Sequence, residues 1–122
     1  MHTFGYPKSV WREAMNEARA ALIERARVRG MMTYSELAEA ISAIDFSAHD
    51  VRLFSLLGQL SEEEYRAGRG MISALVVHKQ GDMEPGTGFF DLAQELGLDT
   101  SDRLSCWIGQ VHKVHDYWCN KT

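Results

Sequence analysis

The sequence predicts a single, mainly helical domain of the α+β class, spanning residues 1–122 and containing one small β-hairpin. Along most of the 122-residue chain, apolar residues recur at spacings of three and four, which is typical of amphipathic helices. One segment departs from this pattern. Met71–Lys79 is almost continuously apolar and contains β-branched residues, which predicts a strand covered on both faces. A glycine-rich turn follows it, and the chain length suits one domain.

The first helix is predicted to begin near Ser9, which follows Pro7 and can act as an N-cap. Gly30 is expected to end it, since glycine commonly terminates helices. One apolar stripe runs along this helix and is expected to face the core. It consists of Trp11, Met15, Ala18, Leu22 and Ala26.

Three short helices are predicted between the first helix and the strand. Thr33–Glu36 has the spacing of a capping box, which opens the second helix. Ser47–Asp50 opens the third, and Ser61–Glu64 forms another capping box that predicts a separate fourth helix ending near Gly68. The inward residues of the third helix are expected to be Val51, Phe54, Leu57 and Leu60.

Beyond the strand, Met83–Glu84 is predicted to be a short return strand, stopped by Pro85 and the glycines that follow. Thr87 is the expected cap of a fifth helix, which ends at Gly97. The last helix is predicted to begin at Thr100 or Ser101. Its inward side is expected to hold Leu104, Trp107, Ile108, Val111, Val114 and Trp118.

Composition narrows the classes of function. The net charge of −4 makes the chain a poor nonspecific nucleic-acid binder, although a local basic face on the first helix stays open. The N-terminus has no basic segment followed by an apolar one, and no apolar run approaches about 20 residues. We therefore expect a cytoplasmic protein that does not enter membranes. Cys106 and Cys119 would lie about 20 Å apart on one helix, so no disulfide is expected between them.

The predicted order of a helix, a short capped helix, another helix and a hairpin matches a winged helix-turn-helix. Val10-Trp11 at the start of the first helix and Thr33–Ala38 in the second carry a resemblance to known proteins. Up to about Gly88, the chain resembles the DNA-binding half of the alkyltransferases and alkyltransferase-like proteins. That resemblance implies a DNA-reading helix over Val51–Leu60. The family's alkyl-accepting cysteine would fall within Ser73–Lys79, where this chain has none, so alkyl transfer at that position is excluded.

Two groups of binding residues follow from this interpretation. The candidate nucleic-acid-binding residues are Arg12, Arg52, Ser55, Gln59 and Lys79. The basic residues of this group are expected to share one basic face with Arg19. The candidate wing residues are His78, Gly81, Asp82, Gly86 and Gly88. The backbone N–H groups of this turn, which precedes a helix N-terminus, could instead bind an anion. An ordinary connection that lets Phe89 and Phe90 fold back onto the core is favoured over such a site.

A third pattern lies near the C-terminus. His112, His115, Asp116 and Cys119 fall on adjoining rows of the last helix, and these residue types can bind zinc. The favoured interpretation is a polar helix flank, because the paired ligand motif of zinc sites is absent. We therefore expect no metal and no cofactor. The predicted function is a noncatalytic module that binds nucleic acid or a protein partner. The alternatives are a homo-oligomeric interaction domain, such as a homodimer, and a small metal-binding enzyme using His112, His115 and Asp116.

Overall fold

The computed structural model describes residues 2–79 and 84–119. Of this part of the chain, 64% is helical, which confirms the mainly α (α+β) class. The described helices are α1 (Lys8–Arg27), α2 (Tyr34–Ala40), α3 (Val51–Arg66), α4 (Thr87–Glu95) and α5 (Arg103–Cys119). The described strands are β1 (Met32–Thr33) and β2 (Val76–Val77), and a 3₁₀ helix spans Ile72–Leu75.

Helix α1 lies at the centre of the domain. Its predicted apolar stripe, from Trp11 to Ala26, is fully buried, which confirms the prediction. The helix packs against α2, α3 and α5. Its ends differ from the prediction. Pro7 rather than Ser9 is the N-cap. Just after the C-terminal end of α1, the residue with a left-handed backbone conformation is Arg29, with φ of 54°, rather than Gly30.

The predicted capping box at the start of α2 is present. Thr33 Oγ1 accepts a hydrogen bond from the Glu36 N–H at 3.2 Å, and Glu36 Oε1 accepts one from the Thr33 N–H at 3.0 Å. Arg25 Nη2 also donates to the other oxygen of Glu36, at 2.7 Å. These hydrogen bonds lower the pKa of Glu36 to about 2, and the one from Arg25 has the largest effect. The start of α2 is therefore joined to the end of α1.

Helix α3 merges the predicted third and fourth helices, so the prediction of two helices was wrong. Ser61 lies buried within α3 instead of capping a new helix. Its hydroxyl lies 2.7 Å from the Ser73 hydroxyl, and it accepts the Ser73 N–H at 3.2 Å. The inward face was also misassigned, since Val51 and Phe54 are 66% and 40% exposed. The buried leucines of α3 are Leu53, Leu56, Leu57 and Leu60.

The predicted strand Met71–Lys79 is wrong over most of its length. Only β2 is extended, and it pairs in parallel with β1, with Met32 opposite Val76. The described sheet is therefore not the predicted hairpin, and Met83 of the predicted return strand lies outside the described residues. The apolar run reflects burial on all sides, because a continuous apolar segment does not distinguish a strand from a buried helix.

Helix α5 supplies hydrogen-bond partners to this buried segment. The indole Nε1 of Trp107 donates to the carbonyl of Ala74 at 2.8 Å. The side-chain oxygen of Gln110 accepts the N–H of Met71 at 3.0 Å. A buried backbone group without a partner is costly. These two contacts therefore explain how Met71–Leu75 can be buried between α3 and α5 although it has no strand partner among the described residues.

The last two helices depart from the prediction in detail. Helix α4 has Gly86 as its N-cap and no side-chain cap, so Thr87 is its first residue rather than its cap. Gly97 follows α4 with φ of 88°, as expected for a terminating glycine. In α5 the predicted inward residues Leu104 and Ile108 are exposed, whereas Val114 is buried. Both cysteines are free thiols, as predicted.

A buried carboxylate joins three parts of the fold. Glu64 of α3 has no solvent exposure. It accepts hydrogen bonds from Arg19 of α1 at 3.3 Å and from Arg69, which follows α3, at 2.9 and 2.6 Å. A buried carboxylate needs partners of this kind to compensate for lost hydration.

Within residues 2–79 and 84–119, no helix has the length and apolar character needed to cross a lipid bilayer.

Candidate functional site

The candidate site is a cavity of about 310 Å³ between α2, α3 and the N-terminal end of α4. Its walls are mostly apolar and aromatic, and we call it the apolar cavity. The residues that form these walls are Tyr34, Phe54, Leu57, Gly58, Phe89 and Leu92. Polar groups of the lining come from Ser73 of the 3₁₀ helix, from His78 after β2, and from Gly86 and Thr87 at the start of α4.

Tyr34 is the central side chain of this site. It is the first residue of α2, so the Thr33 capping box determines where it lies. Its ring contacts the Phe54 ring edge-on, with centroids 5.3 Å apart, and lies beside the His78 ring at 4.9 Å. Burial raises the pKa of the Tyr34 phenol, while the hydrogen bond from the Gly86 N–H lowers it. The phenol is therefore protonated at neutral pH and can donate a hydrogen bond.

Gly86 brings the start of α4 into contact with this pair of rings. Its N–H donates to the Tyr34 hydroxyl at 3.3 Å. A Cβ at this position would lie 3.2 Å from the Tyr34 hydroxyl and 3.4 Å from Nε2 of His78. Glycine is favoured here by this close approach, since a Cβ would be in tight contact with both side chains, and not by its backbone angles, since its φ is −67°. The predicted wing residue Gly86 therefore packs against the core rather than projecting from it.

A second cavity, of about 360 Å³, adjoins the first. Tyr34 and His78 line both, so they form the wall that the two cavities share. The remaining lining residues are Ser35, Ala48, His49 and Lys79. We call this the basic cavity, because its described lining holds two histidines and a lysine and no carboxylate.

The predicted nucleic-acid residues do not form one free basic face. Arg12 Nη1 donates to both carboxylate oxygens of Glu63 at 3.0 Å. Arg52 pairs with Asp50, and its hydrogen bond lowers the pKa of that carboxyl group to about 2. Arg19 also pairs with Glu63, at 2.8 Å. The predicted basic patch is therefore largely neutralised by neighbouring carboxylates.

Of the other predicted binding residues, Ser55 and Gln59 lie on one side of α3, and the rest of those described line the cavities. Gln59 Nε2 donates to the Ser55 hydroxyl at 3.2 Å, and Gln59 Oε1 accepts the Trp11 indole N–H at 3.0 Å. Lys79 and His78 line the basic cavity, and Gly86 and Gly88 line the apolar one. Gly81 and Asp82 of the predicted wing lie outside the described residues.

The candidate metal ligands of α5 serve a different role. His115 Nε2 lies 3.0 Å from the Gly30 carbonyl, Asp116 pairs with Arg29 at 2.9 Å, and Cys119 Sγ donates to the Arg27 carbonyl at 3.2 Å. These contacts attach α5 to the C-terminal end of α1. His112 is exposed. Across the described chain, no three His, Cys, Asp or Glu side chains are placed to share a metal ion.

The residues that shape the cavities carry no motif that predicts a binding site. Tyr34 was assigned only to a capping box, Phe54 to the core, and Phe89 to a helix that folds onto the core. Gly58 offered a signal, because a glycine in a helix interior costs about 1 kcal/mol relative to alanine. Nothing lies within 4 Å of a Cβ built on Gly58, so this glycine leaves open space at the cavity wall.

Comparison of the chain with protein-family models, curated proteins and solved structures found no match. The resemblance to alkyltransferase-like proteins therefore stays a prediction. The function is inferred from the geometry of the two cavities.

Proposed function

We propose that this protein is a noncatalytic binding module whose ligand is a small, flat aromatic molecule held in the apolar cavity. The observation that carries this proposal is the cavity itself, which has about 310 Å³ of space walled by aromatic and aliphatic side chains. Small-molecule sites are typically concave, mostly apolar and about 300–1,000 Å³ in volume, with a few polar groups that orient the ligand.

The walls favour a planar ligand. Tyr34, Phe54 and Phe89 offer ring faces or edges, and aromatic rings prefer to meet other rings edge-on or offset-stacked. Phe54 is 40% exposed although it is large and apolar. A ring bound against Phe54 would remove apolar surface from water, which stabilises a complex by about 25 cal/mol per Å². The Tyr34 phenol supplies one polar contact at the end of the cavity.

Binding is favoured over nucleophilic catalysis by the state of the buried hydroxyl groups. Ser73 lies 2.7 Å from the Ser61 hydroxyl, and the Tyr34 hydroxyl accepts the Gly86 N–H. A catalytic hydroxyl needs a base within hydrogen-bond reach, about 2.6–3.2 Å away. The hydrogen bonds of these two hydroxyls instead hold α3, the 3₁₀ helix and α4 in place around the cavity.

The predicted binding of nucleic acid rests on the winged-helix interpretation and is a separate proposal. Its electrostatic basis is weakened by the ion pairs of Arg12, Arg19 and Arg52. A gel-shift assay with duplex DNA at low salt tests it, and binding that weakens as salt rises would support it. A homodimer and a cytoplasmic location also stay predictions. Light scattering at high concentration tests the former, and a strict monomer would contradict it.

Ligand-observed NMR with 2-naphthamide, a neutral bicyclic amide, tests the proposed function. A fragment of this size is expected to bind with a dissociation constant on the order of 1 mM or below. The variant Gly58→Leu places a side chain where a Cβ would point into open space, so it should occupy the cavity and abolish the signal.

Gly109→Leu is the matched control. Gly109 lies in the interior of α5, has equally open space around a built Cβ and does not line the apolar cavity. We expect this variant to retain binding. Absence of binding to the wild-type protein would overturn the proposal, as would equal binding to both leucine variants when circular dichroism shows both to be folded.

A further inference from the structure

We infer that the ligand is an aromatic acid, whose ring occupies the apolar cavity and whose anionic group binds in the basic cavity beside it. This inference rests on the proposed function and adds the chemical class of the ligand. It depends on the relative position of the two cavities and on the charges that line the second one.

The two cavities adjoin along one shared wall. Tyr34 and His78 line each of them, and their rings lie 4.9 Å apart at an angle of 36°. The proposed ligand would place its ring against Phe54 in the apolar cavity and extend its substituent past this shared wall to the residues of the basic cavity.

The basic cavity is suited to an anion. Lys79 carries a positive charge, and His49, His78 and Ser35 add side chains that can donate hydrogen bonds. No carboxylate belongs to its described lining. Two acids directly follow lining residues in the sequence: Glu36 is held by Arg25, and Asp50 is held by Arg52 and caps α3. Glu84, whose main-chain carbonyl accepts the His78 N–H at 3.1 Å, does not belong to the lining. Hydrogen bonds between a cationic side chain and an anionic oxygen are stronger than neutral ones.

Lys79 is exposed beside the basic cavity, and none of the ion pairs between described residues involves it. Lys8 and Lys113 likewise form no ion pair among the described residues, whereas seven arginines pair with Asp or Glu side chains. Within the described part of the chain, no carboxylate therefore neutralises Lys79.

The test compares 2-naphthoate with 2-naphthamide, which has the same rings and a neutral amide in place of the carboxylate. Titration at low ionic strength should show roughly fivefold to tenfold tighter binding of 2-naphthoate, the effect of one exposed charge-assisted hydrogen bond. Raising the salt concentration should reduce this preference, because the lysine is exposed and therefore screened.

The double variant His49→Gln, Lys79→Gln should lose the preference for 2-naphthoate and keep the affinity for 2-naphthamide. Lys8→Gln is the matched control, because it removes the same charge from the start of α1 and lines neither cavity. Equal affinities of the wild-type protein for the two probes would overturn this inference and leave the proposed function standing. The same holds for a preference that survives the double variant. Failure of both probes to bind would overturn the proposed function as well.

Discussion

Replacing Glu64 by glutamine tests whether its buried carboxylate holds the helices together. The substitution keeps the size of the side chain and removes the charge that Arg19 and Arg69 neutralise. Removing one partner of a buried ion pair costs about 3–5 kcal/mol, because the other partner is left without compensation.

Two features of the structure place this variant at the lower end of that range. The Arg19 and Arg69 side chains are 24% and 29% exposed, so water can hydrate them in part. Arg19 also keeps its second carboxylate partner, Glu63, at 2.8 Å. We therefore expect a loss of about 3 kcal/mol in the free energy of unfolding. Since domains are stable by about 5–15 kcal/mol, this loss is a large fraction of the total.

Urea denaturation followed by circular dichroism measures the effect, with the midpoint falling and the slope unchanged. Glu62→Gln is the matched control. Glu62 is in the same helix and pairs with Arg66 at 3.0 Å, but both side chains are exposed. That pair should contribute less than about 0.5 kcal/mol. If Glu64→Gln destabilises the protein no more than Glu62→Gln does, the assignment of a structural role to this ion-pair cluster is wrong.

Three further predictions concern stability. Gly58→Ala and Gly109→Ala should each raise the free energy of unfolding by about 1 kcal/mol, because each glycine is inside a helix with open space for a Cβ; a lower thermal midpoint in either variant would contradict the open space. Thr33→Ala should lower the free energy of unfolding, measured by urea denaturation, by about 1 kcal/mol, because the capping hydrogen bond is lost. An unchanged urea midpoint would show that this hydrogen bond contributes little. The Glu36 carboxyl group has its pKa lowered from 4.5 to about 2, chiefly by the hydrogen bond from Arg25. The stability that the ionised Glu36 contributes is therefore present above pH 4.5 and is lost as the pH falls toward 2. Glu36→Gln should make the free energy of unfolding depend less on pH in that range. A pH dependence equal to that of the wild-type protein would contradict the hydrogen bond from Arg25 as the cause.

Local sequence patterns were sufficient to predict the buried face of a helix and a helix start that has a recognisable cap. The stripe from Trp11 to Ala26 and the capping box of Thr33 and Glu36 are of this kind, and both were predicted correctly. Helix α3 shows the limit. Ser61–Glu64 has the spacing of a cap, but the same residue types also occur inside a helix. The hydroxyl of Ser73 and the two arginines beside Glu64 provide partners there.

The candidate site was predicted only in fragments. His78, Gly86 and Gly88 are predicted as residues of a glycine-rich turn, and Lys79 as a nucleic-acid-binding residue. Their actual neighbours come from α2 and α3, which are far away in sequence, so no spacing rule connects them. The ion pairs within the predicted basic face were not predicted for a related reason, because the carboxylates of Glu63 and Asp50 that pair with Arg12 and Arg52 are identified only by their contacts.

The sequence by itself determined the mainly helical class, the buried stripe of α1 and the capped start of α2, because these depend on helical periodicity and on hydrogen bonds within one turn. Tertiary structure alone decided the rest. Met71–Val77 became a 3₁₀ helix and a two-residue strand, since Trp107, Gln110 and β1 supply its hydrogen-bond partners. The strand predicted from the continuous apolar, β-branched run is thus only two residues long. Likewise the two cavities exist because Gly86 brings α4 against Tyr34 and His78, a contact between segments that no local pattern encodes.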